Sequence, residues 1–204
     1  MAQNLLVKTK RKGNHYYSKS GHFLGVYGNE SKVRVYVEPY GLFSHGSFLK
    51  KVLNEKDVID NSVCFSSVPD IARLTIIQKI ANTIGLYNVL ISYVPAKITS
   101  GQIKTEDSGY LDHKTGKIQI NPNSKFIKKG DYYNILLTLY HEKYHYENHY
   151  KKGLRESKRN EIEYDTYKYI YNHHLFYEST LEYQSVVISQ MRDYALKIGK
   201  QPEF

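Results

Sequence analysis

Residues 136–145 read Leu-Leu-Thr-Leu-Tyr-His-Glu-Lys-Tyr-His, which contains H-E-x-x-H at His141, Glu142 and His145. On a helix this spacing has chemical meaning. Residues four apart differ by about 40° around the axis and about 6 Å along it, so both imidazoles can reach one divalent ion at roughly 2.0–2.1 Å. Glu142 sits beside such an ion but off the line joining the imidazoles, where it can take a proton from a metal-activated water. The expected chemistry is hydrolysis at one Zn2+ per chain, with Glu142 as general base. The preceding Ile135, Leu136, Leu137 and Leu139 supply the apolar face that anchors a ligand-bearing helix.

Two histidines do not complete a zinc site; a catalytic one takes three protein ligands and keeps a position open. Downstream, residues 160–165 read Asn-Glu-Ile-Glu-Tyr-Asp. Glu161 and Asp165 are four apart and share a helix face. Glu161 is therefore expected as the third ligand, and Asp165 as the partner that orients a ligated imidazole through its far nitrogen. Glu163 lies about 200° from Glu161, lacks such a partner, and is ranked below it. His149 is about 12 Å beyond His141 along the axis, too far to join the same ion. The metzincin extension needs Gly and a third His at positions that hold Asn148 and Lys151, which excludes that class.

At His141, Glu142, His145, Glu161 and Asp165 the sequence resembles the gluzincin zinc metallopeptidases, whose signature is H-E-x-x-H followed by a helix with N-E-x-x-x-D or E-x-x-A-D. The resemblance covers residues 117–170. It implies zinc held by His141, His145 and Glu161, Glu142 as base, and a protein or peptide substrate cleaved by an endopeptidase. Gly116-Lys117-Ile118-Gln119-Ile120-Asn121 is similar to the G-x-I-x-I-N strand that precedes the active-site helix in the compact phage-repressor-cleaving branch (ImmA/IrrE-like). That branch implies a minimal zincin-like domain, here residues 21–204, with a regulatory role in bacteria or phage. A second resemblance, of residues 16–25, is to the openings of bacterial secreted toxins and contractile-injection cargo. It implies a toxin or effector protease with an inhibitor or immunity protein as partner, and export by a non-classical injection route. Gluzincins stabilise the tetrahedral oxygen with a Tyr or His from elsewhere in the fold. With 21 Tyr and 9 His, the sequence leaves that residue open.

The remaining composition narrows the alternatives. The chain has 204 residues, long enough to bury a core without staples. Hydrophobic residues at 41% and charged residues at 24% exclude a wholly disordered chain. Cys64 is the only cysteine, so neither an intrachain disulfide nor a cysteine-based zinc site can form. No apolar run approaches the roughly 18–20 residues of a membrane span. Lys8, Lys10, Arg11 and Lys12 follow the short apolar stretch at the N-terminus, the reverse of a secretory signal, so no signal peptide is read and a cytoplasmic location is expected. The net charge of +9 and the abundance of Tyr keep a base-stacking nucleic-acid-binding protein as the alternative function. A catalytically silent zinc-binding module is a further alternative, against which stands Glu142, since a structural site needs no base.

The elements that must position these residues follow from local pattern. Residues 1–20 read as a basic lead-in. His22–Tyr27 and Lys32–Glu38 favour a β-hairpin around Gly28-Asn29-Glu30-Ser31. Ser47–Asn54 suggests a short helix, and residues 69–84 a longer one with an Ile-rich stripe from Ile71 to Ile84 ended by Gly85. Asn88–Val94 reads as a strand, and Gly109–Asp112 and Lys117–Asn121 as two more, offering a sheet edge for an extended peptide. Asp131 can cap a helix to about Tyr150, Ser157 one over 158–177, and a last helix covers Leu181–Ile198. Strands with one helix over 21–125, then helices over 131–200, make the expected class α+β, with a small antiparallel N-terminal sheet.

Overall fold

The computed structural model describes residues 13–37, 53–87, 92–93, 108–112, 114–153 and 158–203. The architecture is α+β, with strands interspersed with helices up to Ile120 and helices alone after it among the described residues. The first sheet contains β1 (Asn14–Ser18), β2 (Phe23–Tyr27), β3 (Val33–Tyr36) and β4 (Ser62–Cys64) in the order β2-β1-β3-β4. Two expectations change here. Asn14–Ser18, inside the expected lead-in, is an inner strand because it buries Tyr16 and Tyr17, whose apolar area outweighs the neighbouring lysines. β1 also separates the two arms of the expected hairpin. It pairs antiparallel with β2 and parallel with β3, so the sheet is mixed rather than wholly antiparallel.

Residues 41–66, which carry little pattern, contain α1 (Glu55–Asp60), whose cap Asn54 accepts a hydrogen bond from the Asp57 amide at 2.9 Å. The expected Ser47–Asn54 helix lies largely outside the described residues. The Ile-rich helix forms as α2 (Asp70–Thr83), with Ile76, Ile77 and Ile80 fully buried, although Ile71 faces outward. The second sheet holds β5 (Ser92–Tyr93), β6 (Gly109–Asp112) and β7 (Lys117–Ile120) in the order β5-β7-β6. β6 and β7 pair antiparallel as expected, which leaves β6 an outer strand among the described residues.

After the short α3 (Lys125–Lys128) comes α4 (Tyr132–His145), started by Asp131, whose carboxylate accepts from the Asn134 amide at 3.0 Å. Ile135, Leu136, Leu137 and Leu139 are buried together with Ile76, Ile80, Ile118 and Ile120, so α4 is held against α2 and the second sheet. The helix continues into a π-helical turn at Tyr146–Tyr150, closed by the Lys151 amide on the Tyr146 carbonyl at 3.0 Å. α5 (Arg159–Tyr171) is shorter than expected and is followed by a 3-10 turn at Phe176–Glu178; Ser157 lies outside the described residues. α6 (Leu181–Lys197) is capped by Thr180. The Asn134 side chain ties the start of α4 to that cap, donating to Thr180 Oγ1 at 3.0 Å and accepting from its amide at 3.1 Å. This clamp sets α6 across α4, where it forms one wall of the site. No helix among the described residues is long and apolar enough to cross a membrane.

Candidate metal centre

The last turn of α4 and the second turn of α5 bring His141, His145 and Glu163 together. The two Nε2 atoms are 3.0 Å apart, and Glu163 Oε2 lies 3.8 Å from His141 Nε2 and 3.5 Å from His145 Nε2. Donors about 2.0–2.1 Å from a tetrahedral ion are separated by about 3.3–3.4 Å. The three separations bracket that value, and the centre of the triangle is about 2.0 Å from each atom. Two imidazoles and a carboxylate are also the donor types that suit zinc and its first-row neighbours. The triad is therefore a possible metal-binding site by geometry and by donor chemistry.

The expected third ligand, Glu161, is not part of this cluster. Glu161 is exposed and faces Lys158 at 3.6 Å, and Asp165 is exposed as well. The physical reason is the rotation of α5. Its buried isoleucines, Ile162 and Ile170, define the inward direction. At about 100° per residue, Glu163 lies about 60° from that direction, Asp165 about 100° and Glu161 about 140°. Those isoleucines were the available signal, and the pairing of Glu161 with Asp165 obscured it. The place expected for Asp165, behind a ligand imidazole, is taken by Thr166 and His149: their Oγ1 and Nδ1 atoms lie 3.4 and 3.3 Å from His145 Nδ1.

Burial and the mutual contacts of the triad set the protonation of His141 and Glu163. Burial lowers the His141 pKa to about 3, the neighbouring His145 adds to this, and Glu163 opposes it only in part. At neutral pH the ring is uncharged and its lone pair is available. For Glu163 burial acts upward, but the hydrogen bond from His145 and the charges of His145, His141 and Arg159 overcome it and bring the carboxyl to about 2. It is a carboxylate across the physiological range.

Glu142 is 4% exposed and borders, with the triad, a cavity of about 710 Å³. β6 approaches Glu142 so closely that a Cβ on Gly109 would lie 2.7 Å from its Oε1 and 2.9 Å from its Cγ. Tyr110, Tyr167, Tyr183 and Tyr194 line the same cavity. Burial and the facing Glu163 push the Tyr167 hydroxyl well above the usual phenol range, so it remains a protonated donor. Its ring meets His141 edge-on, with centroids 4.8 Å apart. His173 packs instead on Tyr140 and Tyr169, and His174 is exposed; neither borders the cavity. Arg159, the first residue of α5, also lies at the cavity wall.

No family model, no curated protein and no solved structure matches this chain.

Proposed function

We propose that the chain is a zinc-dependent endopeptidase of the gluzincin type, with His141, His145 and Glu163 as ligands and Glu142 as general base. The observation that carries this reading is the convergence of three donor atoms at 3.0–3.8 Å separations, with a second carboxylate, the buried Glu142, beside them on the same cavity. Exchanging Glu161 for Glu163 keeps the donor set of two histidines and one glutamate.

Bound zinc supplies Lewis acidity, polarising the scissile carbonyl and lowering the pKa of water to around 7. The protein's own groups do the rest. Glu142 accepts the proton of the attacking water and passes it to the leaving amine. Tyr110, Tyr167, Tyr183 and Tyr194 carry hydroxyls on the cavity wall from which a donor to the developing oxyanion can come, and Tyr183 is hydrogen-bonded to Thr138 as well. A peptide, rather than a small ester, suits β6, an outer strand among the described residues, whose backbone can take an added strand next to Glu142.

Purified protein should carry about one zinc per chain, and a chelator should abolish cleavage of an unfolded protein such as casein, with zinc restoring it. Metal analysis that finds no zinc after supplementation, or cleavage indifferent to the chelator, refutes the proposal. Gly109→Ala should retain zinc but slow cleavage on the order of 10²-fold, because the added methyl displaces the Glu142 carboxylate. Undiminished turnover of that variant would show that Glu142 tolerates displacement and is not the base.

A further inference from the structure

His149 is not a ligand by position, yet it is buried at 4% exposure and lies against a ligand. The backbone between His145 and His149 is π-helical, each ring of hydrogen bonds closing one residue later than in an α-helix. The slower rotation per residue brings His149 more nearly under His145. Its Nδ1 is 3.3 Å from His145 Nδ1, with ring centroids 5.3 Å apart. From α5, Thr166, fully buried, places Oγ1 at 3.4 Å from the same nitrogen. At about 100° per residue Thr166 lies midway between Ile162 and Ile170, on the inward direction of α5.

The proton positions follow from donor and acceptor accounting. His145 Nε2 faces His141 and Glu163. If that nitrogen coordinates a metal, the hydrogen of the neutral ring must be on Nδ1. The Thr166 hydroxyl donates to the Ile162 carbonyl at 2.8 Å, so toward His145 it offers only a lone pair. His149 Nδ1 can then receive the same hydrogen only as a lone pair, which puts His149's own proton on Nε2.

Resting on the zinc reading above, we propose that His149 and Thr166 are positioning residues that share the His145 Nδ1 hydrogen, locking the tautomer and tilt in which His145 presents Nε2 to the metal. Ligand histidines ordinarily donate this hydrogen to a carboxylate or a carbonyl. Here a second imidazole and a hydroxyl perform the task, supplied by the π turn and by α5. The same bond links the two helices that carry the ligands.

The test compares zinc affinity, by competition with a chromophoric chelator, and melting of the metal-free protein. The proteins are wild type, His149→Phe, His149→Asn and Thr166→Val. His149→Phe and Thr166→Val should each weaken zinc binding about 10- to 100-fold. His149→Asn, whose amide can place an acceptor near the former Nδ1, should recover most of the loss. A purely structural role predicts lowered melting with unchanged affinity, or no difference between Phe and Asn, and either result overturns the proposal. Should the variants fail to fold, nitrogen NMR of zinc-loaded wild type decides: the proposal requires the proton of His145 on Nδ1 and that of His149 on Nε2, and the opposite tautomer at either ring overturns it. Wild type that binds zinc but cleaves no peptide removes the peptidase and leaves this inference standing. Wild type that binds no zinc removes both.

Discussion

If the proposed site holds zinc, Glu163→Ala should lower zinc affinity by at least about 100-fold, while Glu161→Ala should leave it within about twofold. Glu163 is the only carboxylate of the triad, and its loss leaves two imidazoles as the remaining donors. Partners that merely orient a ligand are worth 10- to 100-fold in affinity, and a ligand itself is worth at least the upper part of that range. Glu161 by contrast has a side chain 56% exposed and paired with Lys158, an exposed ion pair of the kind worth 0–1 kcal/mol. Chelator competition on both variants provides the comparison. Equal affinities, or the reverse ranking, would mean that α5 presents its other face to α4 in solution and would dismantle the triad.

The second large effect belongs to Glu142→Gln. This variant keeps shape and buried volume, and it removes no member of the triad, so zinc content should match wild type. Peptide cleavage should fall by about 10²- to 10⁴-fold, the range for loss of a positioned general base. Cleavage of casein by zinc-loaded protein at matched metal content provides the readout. Turnover unchanged from wild type would remove Glu142 from the mechanism, whereas loss of zinc together with activity would mark it as a ligand.

Features carried within one element were legible from residues alone. The run from Ile135 to Leu139, the cap at Asp131 and the four-residue spacing of His141 and His145 all act inside α4, and the helix forms where they place it. The β6–β7 pair followed from alternating Leu111, Ile118 and Ile120, buried on one side. Features that depend on a distant neighbour were missed. β1 is an inner strand because β2 and β3 both pair with it, and a basic flank concealed the value of Tyr16 and Tyr17 as buried rings. Glu161 and Asp165 looked like a matched pair because both are acidic and four apart, yet helical spacing says only that they share a face, not which face turns inward.

By itself the amino-acid order determined the α+β class and a helix bearing two imidazoles and a carboxylate in the spacing of a hydrolytic metal site. Helix geometry alone guarantees that His141 and His145 are neighbours. The packing of α5 and β6 against α4 decided what completes the site: Glu163 rather than Glu161, Thr166 and His149 behind His145, and Gly109 against Glu142. The reason is that a helix fixes the phase among its own side chains, whereas its rotation toward a neighbour is set by which apolar residues that neighbour can bury. For α5 those residues are Ile162 and Ile170, and their burial turns Glu163 toward His141 and His145.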